Sequence, residues 1–150
     1  MNARPILACL ALVLVAAPSC GGGTVGGGGG SQPSVGGGIV SYDTSKCSDA
    51  PADLTSAVSA KLKNVTLSHA VIVQASDNLV YLSGRMEGPS QAGNSIATFA
   101  LTSTDPSTAK IYAVGPNAGN YSSWEPAPSD LNASLSDVSA ATANLCAKTP

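Results

Sequence analysis

From residue 44 onward two hydrophobic rhythms alternate along the chain. In "SDAPADLTSAVSAKLK", Leu54, Val58 and Leu62 recur at every fourth position, which places them on one face of a helix. Asp49 is the expected N-cap and Pro51 fits the first turn. "SHAVIVQA" and "NLVYLSGRME" are β-rich runs around Ser76-Asp77-Asn78, the signature of a tight hairpin. "SIATFALTST" and "TAKIYAVG" repeat that arrangement around Asp105-Pro106-Ser107. "SDLNASLSDVSAATANLCAK" reads as a closing helix capped by Ser129, with Leu131, Leu135, Val138, Thr142 and Leu145 on one stripe. Two amphipathic helices and four strands without βαβ alternation predict an α+β fold. The simplest packing is a four-stranded antiparallel sheet with two helices packed on one face.

Upstream the rhythm changes. "MNARP" carries one early positive side chain, Arg4, and "ILACLALVLVAA" is a 12-residue apolar stretch. Such a stretch is shorter than the roughly 20 helical residues that span a bilayer core, and it reads as the apolar region of a signal peptide. Ala17, Pro18 and Ser19 then precede Cys20 and resemble a bacterial lipobox, in which the cysteine becomes the first residue of the mature protein and its thiol carries a diacylglycerol. Leu or Val is more usual where Ala17 stands, and Ala17 with Ser19 also satisfies an ordinary secretory cleavage site, so free secretion stays open. Cys9 has good local residues but no apolar region ahead of it. Between Gly21 and Gly38 eleven of eighteen residues are glycine, a composition that buries nothing and predicts a flexible coil. From Cys20 to Thr44 its span is on the order of 25 to 30 Å. No Gly-Lys-Ser/Thr follows the glycines, so a phosphate loop is not expected. The expected organisation is a signal peptide over 1–19, a Gly-rich tether over 20–43 and one small domain over 44–150.

Composition narrows the partners. Charged residues make up only 11% of the chain, and the loss of Arg4 with the leader would leave its seven basic residues one fewer against nine acids. No basic surface of the kind that neutralises phosphates is expected, which argues against nucleic acid. With one Phe, one Trp and four Tyr the core is poor in aromatics, so a cross-link would help it. Once Cys9 leaves and Cys20 is acylated, Cys47 and Cys146 form an even pair in an oxidising compartment, and a disulfide between them is expected. Two buried free thiols are the alternative. No further Cys or His stands at ligand spacing, so neither a metal nor another cofactor is expected.

Candidate chemistry is sparse. The single histidine, His69, lies next to Ser68, and a triad can be written on paper with Asp77, but no G-x-S-x-G elbow is present. Glu87 and Glu125 are isolated in sequence. No catalytic residue is assigned. Asn64, Asn120 and Asn132 begin Asn-x-Ser/Thr sequons, coincidental behind a bacterial leader. The most unusual segment, "YAVGPNAGNYSSWEPAPSD", places Tyr121 and Trp124 in a loop between the last strand and the last helix. Two readings are open: an aromatic surface for a partner or ligand, or a lid folded back over a core short of large residues.

Ala97-Thr98-Phe99-Ala100, Ile111-Tyr112-Ala113-Val114, Ala118, Ser122-Ser123-Trp124 and Cys146 together resemble a recurrent C-terminal domain of exported and lipid-anchored actinobacterial proteins. The likeness spans roughly residues 44 to 148, with Phe99 where that family often has Trp and Gly115 where it often has Asn. It implies an extracytoplasmic domain of unknown function and carries no catalytic residues over. "LTSAVSAKLKNVTLSHAVIVQASDNLVYLSGRM" is more weakly similar to the BON domain, which implies envelope or membrane binding. The expectation is therefore a non-catalytic protein, held by a lipid on Cys20 at the extracytoplasmic face of the cell membrane, that binds an envelope protein or a small ligand. A small secreted or anchored hydrolase with a dispersed site is the alternative.

Overall fold

The computed structural model describes residues 40–89 and 95–149; the leader, Cys20 and the glycine run lie outside the described residues. Eight elements follow one another: β1 (Ser48–Asp49), α1 (Ala52–Ser59), β2 (Thr66–Ser76), β3 (Leu79–Glu87), β4 (Ile96–Leu101), β5 (Ile111–Val114), α2 (Gly115–Tyr121) and α3 (Val138–Lys148). Short 3-10 turns at Thr44–Lys46 and Ser129–Leu131 join them. The fold is α+β, and the strands form an antiparallel meander in the order β1-β2-β3-β4-β5.

The sheet has five strands rather than the expected four, because Asp49 is not a helix cap. It pairs with Val71 in the edge strand β1. Pro51 takes the cap position without a side-chain hydrogen bond. The helix is also shorter than predicted: α1 ends at Ser59, and Leu62 forms an isolated bridge with Ser122 instead of extending the helical face. A third helix, α2, replaces the expected loop at Gly115. Gly115 has φ +78°, which glycine adopts without strain, and Pro116 then fits the first turn, where its missing N–H is no loss.

The helices do not share one face of the sheet; they cover both. Leu54 and Val58 of α1 and Ala118 of α2 pack with Val80, Leu82, Met86, Phe99 and Leu101. Ala140 and Ala143 of α3 pack with Val73, Tyr81, Ala100 and Val114. Successive side chains along a strand point to opposite faces, so Tyr81 and Leu82 belong to different layers. Helices on both faces explain why every residue of "IATFAL" in β4 is buried, where one-sided cover would leave alternate positions wet.

The α3 helix is rotated from the predicted stripe: Thr142 is buried and Leu131 packs partly on the core as expected, but Leu135, Val138 and Leu145 stay outside. It begins at Val138, capped by Asp137, whose carboxylate accepts from the Ser139 N–H at 2.7 Å; Ser129 sits in a separate turn. Asn132, at φ 51°, breaks the chain between them. Ala140, Thr142, Ala143 and Ala147 face the sheet, while Leu135, Val138 and Leu145 are exposed. Alanines let the helix axis lie close to the strands, where larger side chains would hold it away.

Polar groups within the layers are paired. Ser83 and Thr98, opposite one another on β3 and β4, share a hydrogen bond of 2.9 Å beneath α3. The Tyr81 hydroxyl donates to Asp137 at 3.2 Å and accepts from the Ser134 N–H at 3.2 Å, which fixes the start of α3 on the sheet. Burial, above all, pushes this phenol up to about 12; the nearby Asp137 carboxylate adds to the rise, and the Ser134 N–H works against it. Among the described residues no buried side-chain polar atom lacks a partner.

Candidate functional site

Cys47 and Cys146 form a disulfide that joins the entry of the domain to the last turn of α3 across a sequence separation of 99. Beside it lies an open depression of about 480 Å³ lined by Thr44, Cys47, Asp49, His69, Cys146 and Thr149. His69 reaches the depression because β2 bulges between Ser68 and Val71, and its backbone takes the left-handed φ of 46° there. The bulge turns the imidazole out to solvent rather than toward a partner.

The triad written on paper does not assemble. Ser68 donates its hydroxyl proton to the Glu87 carboxylate. Asp77 lies in the turn at the other end of β2, on the order of 25 Å away at about 3.3 Å per residue. Glu125 lies beside β5, where its carbonyl accepts from the Ala113 N–H, whereas Glu87 ends β3 two strands away. Among the described residues no three His, Cys, Asp or Glu side chains gather to hold a metal. The sequon asparagines have local duties: Asn64 and Asn132 take the positive φ that asparagine tolerates. The Asn64 carbonyl also lies against Gly88, where a Cβ would come within 2.6 Å of it. Asn120 is exposed on α2.

Trp124 and Tyr121 take the lid arrangement. Both pack on the layer that contains α1, and the Trp124 indole N–H donates to the Val58 carbonyl at 2.9 Å. Val58 lies in the last turn of α1, whose carbonyls have no partner within the helix, so the indole serves as a cap. The Lys61 ammonium stands 4.1 Å from the ring centroid on the indole's face. The chain around the two aromatics is stitched to the segment after α1: Lys63 N–H donates to the Tyr121 carbonyl at 2.9 Å and Ser123 N–H to the Lys61 carbonyl at 2.8 Å. Beyond Trp124, Glu125 to Ala127 run alongside Ala113 and cover the open edge of β5.

The remaining surface feature was not legible in the predicted stripe. Val40, Tyr42, Leu135, Val138 and Leu145 are the large apolar side chains that stand exposed among the described residues, each between 41% and 55%. Tyr42, Leu135, Ala141, Asn144, Leu145 and Lys148 line a shallow groove of about 330 Å³ along the outer side of α3. Lys148 at one end of that groove is joined by Arg85, whose guanidinium donates to the Lys148 carbonyl at 3.1 Å. Lys46 adjoins Cys47, so the disulfide holds it at the same end of α3. The adjacent acid, Asp43, stays ionised: hydrogen bonds from the Ser45 hydroxyl and N–H, with Lys46 nearby, hold its carboxyl below the usual carboxylate range, so it offsets part of the positive charge at this end. A signal for this surface was present in the sequence as a second helical stripe, Ala140, Ala143 and Ala147, whose small residues form the inner side.

Comparison with protein families, curated proteins and solved structures found no match for the chain.

Proposed function

We propose that this protein is an exported, lipid-anchored domain of the bacterial envelope, tethered through Cys20 and acting as a binding or accessory module without catalysis of its own. The observation that carries this reading is the Cys47–Cys146 disulfide, which closes almost the whole folded domain. A cross-link of that kind persists in an oxidising compartment, and it leaves Cys9 and Cys20 outside the bridge, of which Cys20 directly follows an apolar stretch and small residues in the sequence. The separation of Ser68 and His69 from Asp77 gives no base and orienting carboxylate for a hydroxyl nucleophile, which weighs against the hydrolase alternative. A membrane attached through the lipid is the first partner, an envelope protein or small ligand the second; a chain with more acids than bases does not favour nucleic acid.

Intact-mass measurement of protein extracted from membranes tests the anchor. The native chain should begin at Cys20 and carry the added mass of a lipid, and Cys20→Ala should lose that mass. A native protein that lacks the lipid and appears wholly in the medium would overturn the anchor.

A further inference from the structure

Exposed apolar surface on the described residues is concentrated rather than scattered. Val138, Ala141 and Leu145 fall on one stripe of α3, and Tyr42 lies against the same groove. Val40, two residues earlier, is exposed as well. The stripe is not a spare core face, because α3 is already seated on the sheet through its alanines. Isolated exposed apolar residues need no explanation, but a contiguous group beside a cationic end does.

We infer that the outer side of α3, with Tyr42 and the cations Lys46, Arg85 and Lys148, is a membrane-contact face that lies on an anionic phospholipid surface. This inference rests on the exported, tethered reading above. Three observations favour a bilayer as the occupant. The face carries the composition of an interfacial element, with aliphatic side chains and a tyrosine beside lysine and arginine. Three cations, Lys46, Arg85 and Lys148, meet at one end against the single adjacent acid Asp43, although the chain as a whole has more acids than bases. It also adjoins the point where the remaining chain enters the domain, since Tyr42 lines the groove and stands twenty-two residues after Cys20 in the sequence. A lipid held on Cys20 gives a weak surface a high effective concentration of bilayer. A stable homodimer, in contrast, takes about 800 Å² from each partner, more than Tyr42, Leu135, Val138 and Leu145, each 41% to 49% exposed, supply.

The test uses the chain from Gly21 onward, which carries no lipid whatever the fate of Cys20 and retains the whole cross-linked, closed-core unit. Its partition onto vesicles of phosphatidylcholine alone is compared with that onto phosphatidylcholine and phosphatidylglycerol at about 7:3. Three cations offset by Asp43 leave a net of two charges, each contributing about fivefold, so binding to the anionic vesicles should be on the order of 25-fold stronger at low salt. Val138→Ser with Leu145→Gln should weaken it about tenfold, since both side chains are already exposed and a polar pair removes only the apolar contact. Lys46→Gln with Lys148→Gln should weaken it about 25-fold. Trp124 emission, from the opposite layer, should stay unchanged in both variants and report that the fold is intact. The inference is overturned by absence of binding to anionic vesicles, by binding that both variants leave unaltered, or by a concentration-dependent dimer that Val138→Ser with Leu145→Gln dissolves. Vesicle binding without lipid on Cys20 would sink the anchor and keep this face; lipid without vesicle binding would do the reverse.

Discussion

Replacing Trp124 separates the energetic role of the aromatic loop from any role in contact with a partner. The indole N–H caps the Val58 carbonyl, a neutral hydrogen bond of the kind that contributes about 1 kcal/mol net. Lys61 over the ring adds about 0.5 kcal/mol at a site open to solvent. Trp124→Phe keeps most of the packing against the α1 layer and loses the hydrogen bond and part of the cation–π contact, so it should cost about 1 to 1.5 kcal/mol. Trp124→Ala removes the packing too. Buried tryptophan truncations cost about 3 to 5 kcal/mol, and the partly buried ring here places the loss near 3 kcal/mol. Urea unfolding followed by far-UV circular dichroism measures both, since neither variant keeps the fluorophore. The slope against urea should be unchanged and the midpoint lowered, because the compactness of either state is not expected to change. In thermal terms Trp124→Ala should lower the Tm by on the order of 15 °C. If it unfolds within about 0.5 kcal/mol of the native chain, the loop is not part of the core and the cap reading of the indole is wrong.

Two further outcomes follow from named contacts. Reduction of the disulfide, or Cys47→Ser with Cys146→Ser, frees a separation of 99 residues and should cost about 4 to 5 kcal/mol on a chain-entropy account, read as a thermal midpoint at least about 15 °C lower; an unchanged midpoint would refute the cross-link as a stabiliser. Tyr81 is held neutral by burial, with its pKa raised from 10.0 to about 12, so its contribution is fully present below pH 10 and is lost as pH rises toward about 12. Urea midpoints across that alkaline range should fall for the native chain and fall less for Tyr81→Phe. At neutral pH that variant should cost about 1 to 2 kcal/mol for the lost bonds to Asp137 and Ser134. A native chain and variant with parallel alkaline profiles would refute the coupling.

The local elements were legible where one principle dominates. The hairpin around Asp77 and Asn78 and the turn at Asp105, whose carboxylate accepts from the N–H and hydroxyl of Ser107, follow from turn chemistry acting within a few residues. The disulfide was the expected pair once Cys9 and Cys20 were assigned to the leader and its anchor, and the structure forms it. The α3 face was misread because the prediction sent the larger apolar residues inward, and close helix-to-sheet approach favours the smaller ones instead. Asp49 was misread because capping chemistry and strand pairing compete for the same residue, and its partner Val71 lies too far along the chain for a local rule to weigh.

The amino-acid sequence alone determined the class of fold, the antiparallel strands and the turns between them, since each depends on period, turn residues or residue type, and it made Cys47 and Cys146 the expected pair. Only the tertiary structure decided which face of the sheet each helix covers, that Trp124 caps α1, and that Val138 and Leu145 remain outside on the helix whose last turn gathers Lys46, Arg85 and Lys148. Those outcomes depend on how closely backbones approach and on which distant residues meet there, and neither is written in any local stretch of the chain.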